Sequence, residues 1–237
     1  MSSVYVLSLR QMLSRWRLLI MTVLASMPIV ITFLTLRARR APSISEFETV
    51  VFDAMLAGSI SPLVVLAIAA AAFANEIEDR TLANLTLSPV PRWKIVLPKL
   101  LAAITIAAPF IGISAFYSSQ IAFLGDVTAT FAVTAAALVG VALYASAFVW
   151  LGLVTTQAIG IGLLYIVVWE GFFSGFVSGV RLFSIRHYSI ALMHAIDERR
   201  FASADHMSAG FAVAISVLVF TTFLFLSVRR LRRMDVP

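Results

Sequence analysis

The sequence lacks cysteine altogether, and it has few charged residues. With no cysteine among 237 residues, disulfides and thiolate metal sites are excluded. Only 13% of the residues are charged while 61% are hydrophobic, and the mean hydropathy is +0.98. A water-soluble globule needs more polar side chain than this to cover its surface, so that class is excluded. The composition therefore indicates a protein that folds in a lipid bilayer.

Two catalytic signatures are also absent from the sequence. None of the 11 glycines precedes a lysine, which excludes a Walker phosphate-binding loop, and no His-Glu-x-x-His pair is present to hold a catalytic zinc. We therefore predict no catalytic residue, no metal site and no cofactor in this chain. The net charge of +6 is explained by basic residues at helix ends, which set membrane orientation and meet anionic lipid, so no nucleic-acid partner is expected.

Long apolar runs make up most of the chain. An α-helix needs about 20 residues to cross a hydrocarbon core of roughly 30 Å, and several runs reach that length. They are continuous rather than alternating, which argues against membrane β-strands. We predict an all-α membrane protein, one transmembrane domain over residues 1–237, with six spans at 18–36, 52–73, 100–124, 131–154, 158–180 and 211–228. An amphipathic stretch over residues 4–17 predicts an interfacial helix before the first span.

Six spans place both termini on the same side of the membrane. If that side is the cytoplasm, the inner segments hold 11 Lys and Arg residues and the outer segments hold 7. By the positive-inside rule we expect a multi-pass protein of the cell's inner (cytoplasmic) membrane. Both termini and residues 75–99 then lie in the cytoplasm.

The segment 75–99 is polar and charged, and it lies between the second and third spans. Asn75 followed by Glu78 is typical of a helix N-terminus, and Pro89 moves Ser88 out of helical geometry. We therefore predict a short cytoplasmic helix with an acidic first turn and leucines further along. Its side chains include Glu76, Glu78, Asp79, Thr81, Leu82 and Leu85. The residues after it mark a lipid headgroup boundary: Arg92, Trp93, Lys94 and Lys99.

The fifth apolar run and the segment after it carry the other unusual residues. Glu170 is costly inside a bilayer, so we expect it to face a cavity, a partner helix or water. Glycines follow it at four-residue spacing, which favours close helix packing; the alternative is that they break residues 171–188 into a re-entrant hairpin before span 6. The three histidines of the predicted outer segment fit interfacial or solvated positions, with metal or haem ligation as the alternative. These residues are Gly171, Gly175, Gly179, His187, His194 and His206.

The order of elements and the 75–99 segment together resemble the permease subunits of type-2 ABC exporters. The residues that carry the resemblance fit a Glu-x-Glu-x-x-Thr-Leu, Pro-Val-x-Arg and Lys pattern: Glu76, Glu78, Thr81, Leu82, Leu85, Pro89, Val90, Arg92 and Lys99. The resemblance implies that the short cytoplasmic helix is a coupling helix docked in a separate ATP-binding subunit. The residues implied in that contact are Glu76, Glu78, Asp79, Thr81, Leu82, Leu85, Pro89 and Arg92. It also implies two permeases, alike or different, and two ATP-binding subunits that hold ATP and magnesium.

In such exporters the translocation path lies between the two permeases and is lined largely by the second and fifth spans. Both spans are apolar here, which suits an apolar or amphipathic cargo such as a drug or a lipid. Tyr165, Trp169 and Glu170 are the predicted substrate contacts.

Three other assignments stay open at this point. The size and the acidic, Leu-Pro-rich loop also resemble the haem exporter B subunit of cytochrome c maturation. A non-transporting membrane scaffold is an alternative from another class. A membrane-embedded enzyme is the third, weakened by the lack of paired carboxylates or a His–carboxylate cluster in the spans.

Overall fold

A computed structural model of the chain describes residues 2–38, 43–73, 91–173, 184–201 and 208–233. All regular secondary structure in these ranges is helical. The helices are α1 (Ser2–Met12), α2 (Arg15–Arg37), α3 (Ile44–Phe73), α4 (Trp93–Ala122), α5 (Val127–Val154), α6 (Ala158–Leu164, continued by Tyr165–Phe173), α7 (Ile185–Ile196) and α8 (Ala209–Arg233).

Five helices in the described ranges are long and apolar enough to cross a membrane: α2, α3, α4, α5 and α8. The described part of α6, Ala158–Phe172, is apolar but shorter. The all-helical class is therefore confirmed with five candidate spans, and the sixth stays a prediction because 158–180 runs into residues outside the described ranges. Residues 75–90 of the predicted coupling segment, which runs from 75 to 92, also lie outside them.

Two membrane helices, α3 and α5, start where a polar side chain caps the backbone. Ser43 and Glu46 form a reciprocal capping box, so α3 begins at Ile44, eight residues before the predicted span. Asp126 accepts hydrogen bonds from the backbone N–H groups of Thr128 and Ala129, so α5 begins at Val127 rather than at 131. The membrane helices therefore extend past the apolar runs that predict them.

The N-terminal region is divided differently from its prediction. The interfacial helix was expected over residues 4–17, but α1 ends at Met12 and α2 already starts at Arg15. Ser14 between them has extended backbone angles, φ −114° and ψ 140°, which breaks the helical hydrogen-bond pattern. The first span therefore includes the basic residues Arg15 and Arg17.

Helix α5 is the centre of the bundle. It packs against α3, α4, α6, α7 and α8, whereas α1 packs against α4 and α2 packs against α3 and α4. Close approach between α3 and α5 depends on Gly152, where an added Cβ would lie 2.5 Å from the carbonyl oxygen of Ala70. Helices α2 and α8 are peripheral and present exposed apolar side chains such as Leu34 and Leu218, as expected of lipid-facing surfaces.

Two helices contain π-helical segments, in which backbone hydrogen bonds run from i to i+5. In α3 the segment Phe47–Ile60 is π-helical and Ser61–Ala69 is α-helical; in α6 the segment Tyr165–Phe173 is π-helical. Such geometry is rare, and it is frequently found at functional sites. Both segments carry an acidic residue that takes part in the cluster described next.

Candidate functional site

A cluster of charged side chains joins α3, α6 and α7. Asp53 lies in the π-helical part of α3 and Arg186 in the first turn of α7. The guanidinium group of Arg186 donates through Nε to Oδ1 and through Nη2 to Oδ2 of Asp53, the latter at 2.5 Å. This two-point contact is the strong form of an arginine–carboxylate pair. The side chains are only 16% (Arg186) and 23% (Asp53) exposed, so water screens their attraction weakly.

Glu170 extends this cluster into α6. Its carboxyl group is fully buried and accepts hydrogen bonds from the hydroxyl groups of Tyr165, at 2.9 Å, and Ser184, at 2.5 Å. It also accepts from the backbone N–H of Ile185 at 3.2 Å, while its own main-chain oxygen accepts from Arg186 Nη1 at 3.1 Å. A buried carboxyl group needs such partners to offset its lost hydration. Glu170 therefore faces a partner helix, one of the outcomes that the sequence predicts.

A glycine and a tyrosine complete the surroundings of Arg186. An added Cβ at Gly58 would lie 3.1 Å from Arg186 Nη1 and 2.9 Å from the backbone oxygen of Asp53, so only glycine leaves room for the guanidinium group. Tyr144 of α5, fully buried, donates its hydroxyl to the carbonyl of Ala57 at 3.2 Å. Gly58 thus leaves space beside α3 for the guanidinium group, and the hydrogen bond to Ala57 joins α3 to α5 one residue earlier.

A second ion pair joins the same helices nearer the start of α3. His194 Nε2 of α7 pairs with Glu48 Oε1 of α3, and the imidazole ring stacks on Phe201 with centroids 6.1 Å apart. His194 is only 4% exposed. His194 is therefore buried rather than solvated, because its Glu48 partner allows burial, and an interfacial position stays a prediction. In the described ranges no group of three or more His, Cys, Asp or Glu side chains is placed to hold a metal ion.

An apolar pocket of about 480 Å³ lies beside the charged cluster. Tyr165 and Trp169, two of the three predicted substrate contacts, line it, and Glu170 is not among its lining residues. Tyr165 joins the two regions, because its ring faces the pocket and its hydroxyl donates to Glu170. Substrate contact by these three residues stays a prediction.

Lys99 of α4 is buried beside the C-terminal end of α3. It is 1% exposed, donates from Nζ to the carbonyl of Ala72 at 2.6 Å, and lies over the Phe73 ring at 4.4 Å. Its predicted place at a lipid headgroup boundary stays a prediction. The ammonium group joins the end of α3 to the start of α4, and these helices flank residues 74–90.

The remaining predicted residues are only partly described. Arg92 precedes α4 and accepts the backbone N–H of Ile95 through its carbonyl. Gly171 is exposed. Among the described residues, a Cβ added at Gly171 would meet only the Ile166 carbonyl oxygen of its own helix, at 3.5 Å. Other predicted residues lie outside the described ranges: Glu76, Glu78, Asp79, Thr81, Leu82, Leu85, Pro89, Gly175, Gly179 and His206.

The sequence gives only weak signals for Asp53, Arg186 and Ser184, and for the buried position of Lys99. Asp53 and Arg186 are isolated charges at the edges of apolar runs, and nothing local pairs them across 133 positions. Lys99 follows Pro98 and precedes an unbroken apolar run, so its position inside a helix of low polarity was the available clue. Ser184 is distinguished only by its hydrogen bond to Glu170, which the sequence does not reveal.

Comparison with known proteins agrees with this architecture. A family model described as ABC-2 family transporter protein matches residues 11–190. No curated protein matches the chain. The matched region includes α2 to α6, the charged cluster and the segment between α3 and α4. A match over most of the chain, on a bundle of apolar helices, identifies a multi-pass membrane permease that associates with ATP-binding subunits: the chain belongs to the ABC-2 transporter family.

Proposed function

We propose that this chain is the transmembrane subunit of an ATP-driven exporter. Two permeases, as a homo- or heterodimer, form the translocation path at their interface, and two separate ABC subunits bind and hydrolyse ATP with magnesium. The chain itself is not an enzyme. It lies in the inner membrane with both termini in the cytoplasm, and its cargo is apolar or amphipathic.

The observation that carries this proposal is the buried Asp53–Arg186–Glu170 cluster. Ionisable side chains in membrane helices are costly, and they concentrate where helices surround a path or exchange partners during motion. This cluster joins α3, α6 and α7 through side chains that are mostly or fully buried. A static scaffold could pack these helices with apolar residues at no such cost. The cluster therefore favours a transporter over a scaffold.

The position of Lys99 supports coupling through residues 75–92. Because Lys99 holds the end of α3 against α4, both ends of the intervening segment are anchored on one rigid unit. A force applied to that segment by an ATP-binding subunit would then move α3 and α4 together. We propose that Glu76, Glu78, Asp79, Thr81, Leu82, Leu85, Pro89 and Arg92 make this contact, with acidic residues facing a basic groove.

The contact between Glu170 and Ile185 supports a hairpin in the outer segment. The two residues lie 15 positions apart in the sequence, yet the carboxyl group of one accepts the backbone N–H of the other at 3.2 Å. A helix that continued without interruption would separate positions 15 apart by roughly 22 Å. We propose that residues 171–188 re-enter the bundle, with α7 as the returning arm.

The test is reconstitution of the permease with the ATP-binding subunit that co-purifies with it. Reversing Glu76, Glu78 and Asp79 to Lys is expected to abolish ATP-dependent transport while membrane insertion is retained, because the acidic contact becomes repulsive. The matched control reverses Asp197 and Glu198, acidic residues of the predicted outer side, and is expected to transport normally. Normal transport by the triple variant would contradict electrostatic docking. Absence of any ATPase from the purified assembly would favour the scaffold.

A further inference from the structure

The apolar pocket of about 480 Å³ is a gap between α6 and α8. Helix α5 packs against both of these helices, whereas in the described part of the chain α6 and α8 make few or no contacts with each other. Phe148 and Leu151 of α5 and Tyr188 of α7 also line it. We call this pocket, between α6 and α8, the slot.

The lining of this slot is hydrocarbon and aromatic ring. Of the two tyrosines that line it, Tyr165 donates its hydroxyl to Glu170. A polar ligand group placed against this largely apolar lining would lose hydration that few lining groups can replace, so the lining favours apolar matter. Its volume falls in the range of small-molecule sites, roughly 300–1,000 Å³.

The open side of the slot faces the surroundings of the bundle. Ile161, which lines the slot on α6, is 44% exposed, and Val219 and Phe223, which line it on α8, are partly exposed. In a bilayer these positions meet acyl chains. If the slot were unfilled, its lining side chains would lack dispersion contacts that a neighbouring acyl chain can supply.

The lining of the slot favours an extended occupant over a compact one. On α6 alone it runs from Ile161 to Trp169, about two helical turns. We propose that this slot binds one acyl chain of a membrane amphipath, which enters from the bilayer between α6 and α8. The site lies within a single permease, and its occupancy does not depend on the proposed transport function.

Tryptophan quenching tests the site directly. Of the four tryptophans, Trp150 and Trp169 line the slot, so Trp16→Phe with Trp93→Phe leaves emission from the slot alone. In this full-length protein in phosphatidylcholine vesicles without nucleotide, quenching by 9,10-dibromostearate is expected to saturate. Ala147→Phe fills the slot, so the dibromostearate concentration needed for half-maximal quenching should rise roughly tenfold. Ala214→Phe on the exposed face of α8 should leave that concentration unchanged. Quenching that rises without saturation, equally in both variants, would overturn the proposal.

A second experiment identifies the source of the bound acyl chain. Saturable quenching by phosphatidylcholine brominated on its acyl chains assigns the occupant to a bilayer lipid, and saturation by dibromostearate alone assigns it to a single-chain amphipath. Either result supports an acyl-chain site. Exclusion of both probes once a second permease is assembled would show that a partner helix fills the gap, and the proposal would be wrong.

A measurement on the unmutated chain guards against a variant that fails to fold. A stearate with a photoreactive diazirine is irradiated in the same vesicles, and the modified residues are mapped by mass spectrometry. Adducts on Phe148 or Leu151 are expected, because Phe148 is only 2% exposed and is reached through the slot. Adducts confined to Val217 and Leu218 would show annular lipid contact alone and would contradict the site.

Discussion

Arg186 holds Asp53 through two parallel hydrogen bonds, although 133 residues separate the two in the sequence. The pair connects the first turn of α7 to the π-helical part of α3, and Arg186 also donates to the backbone of α6. Three separate helices therefore depend on one guanidinium group. The strength of such a pair shows most clearly when one partner is removed, because the other charge then stays buried without compensation.

Replacing Asp53 alone is expected to destabilise the protein more than replacing both partners. Asp53→Leu leaves the Arg186 charge facing an apolar side chain, at a cost of about 2–4 kcal/mol. Adding Arg186→Met should restore much of this stability, because an apolar pair replaces an uncompensated charge. Chemical unfolding of the two single variants and the double variant in detergent checks this. Additive losses would mean that the two side chains are not coupled in stability.

Ser184→Ala is expected to destabilise the cluster through Glu170. The Ser184 hydroxyl donates to the buried Glu170 carboxyl group at 2.5 Å, so its loss should cost about 1.5–3 kcal/mol. Ser114→Ala is the matched control, because the buried Ser114 hydroxyl has no hydrogen-bond partner in the described ranges. Removing that hydroxyl should be neutral or stabilising. Equal melting temperatures for the two variants would contradict the role of Ser184.

Lys99→Met is expected to weaken coupling between ATP hydrolysis and transport. Methionine keeps much of the length and loses the contact from Nζ to the Ala72 carbonyl, so the ends of the 74–90 segment are no longer joined by a charged group. We expect ATPase activity of the assembled complex to persist while transport per ATP falls severalfold. Lys94→Met on the same helix is the control, since Lys94 contacts its neighbour Trp93 at 5.6 Å. A parallel loss of transport in both variants would point to a general charge effect.

Gly152→Ala and Gly160→Ala should differ sharply. A Cβ at Gly152 would lie 2.5 Å from the backbone oxygen of Ala70, which cannot rotate away as a flexible side chain can. We expect overpacking to cost about 1–3 kcal/mol and to separate α3 from α5. An added Cβ at Gly160 meets nothing within 4 Å, and alanine is a better helix former by about 1 kcal/mol. Thermal unfolding of both variants measures the difference, and similar stabilities would show that α5 can shift at no cost.

The apolar helices could be predicted from the sequence because length and hydropathy suffice to recognise them. The runs behind α4 and α5 predict the right elements, and the Leu124–Gly125 turn between them has positive φ at both residues, 52° and 86°. Helix starts were misplaced because capping by Ser43 and Asp126 extends helices into polar sequence. Capping depends on a few side-chain contacts, which hydropathy does not register.

The candidate site was harder to predict than the fold. Glu170 is visible in the sequence because an acidic residue in an apolar run is costly. Its partners are not visible, since Ser184 and Arg186 reach it through tertiary packing after α7 has folded back. The same holds for Lys99 and Ala72, 27 residues apart across a polar segment. Periodicity predicts which face of a helix is apolar, and it does not identify which charges meet.

Two cations from different helices contact α3. Arg186 of α7 pairs with Asp53, and Lys99 of α4 donates to the carbonyl of Ala72. Between these anchor points, at Ser61, the backbone changes from π-helical to α-helical. A π-helical turn holds more residues than an α-helical one, so moving this junction by a residue lengthens or shortens the rod and rotates everything beyond it. Movement at either end of α3 can therefore be absorbed at Ser61, where a shift of the junction changes the length of the helix while both cation contacts stay in place.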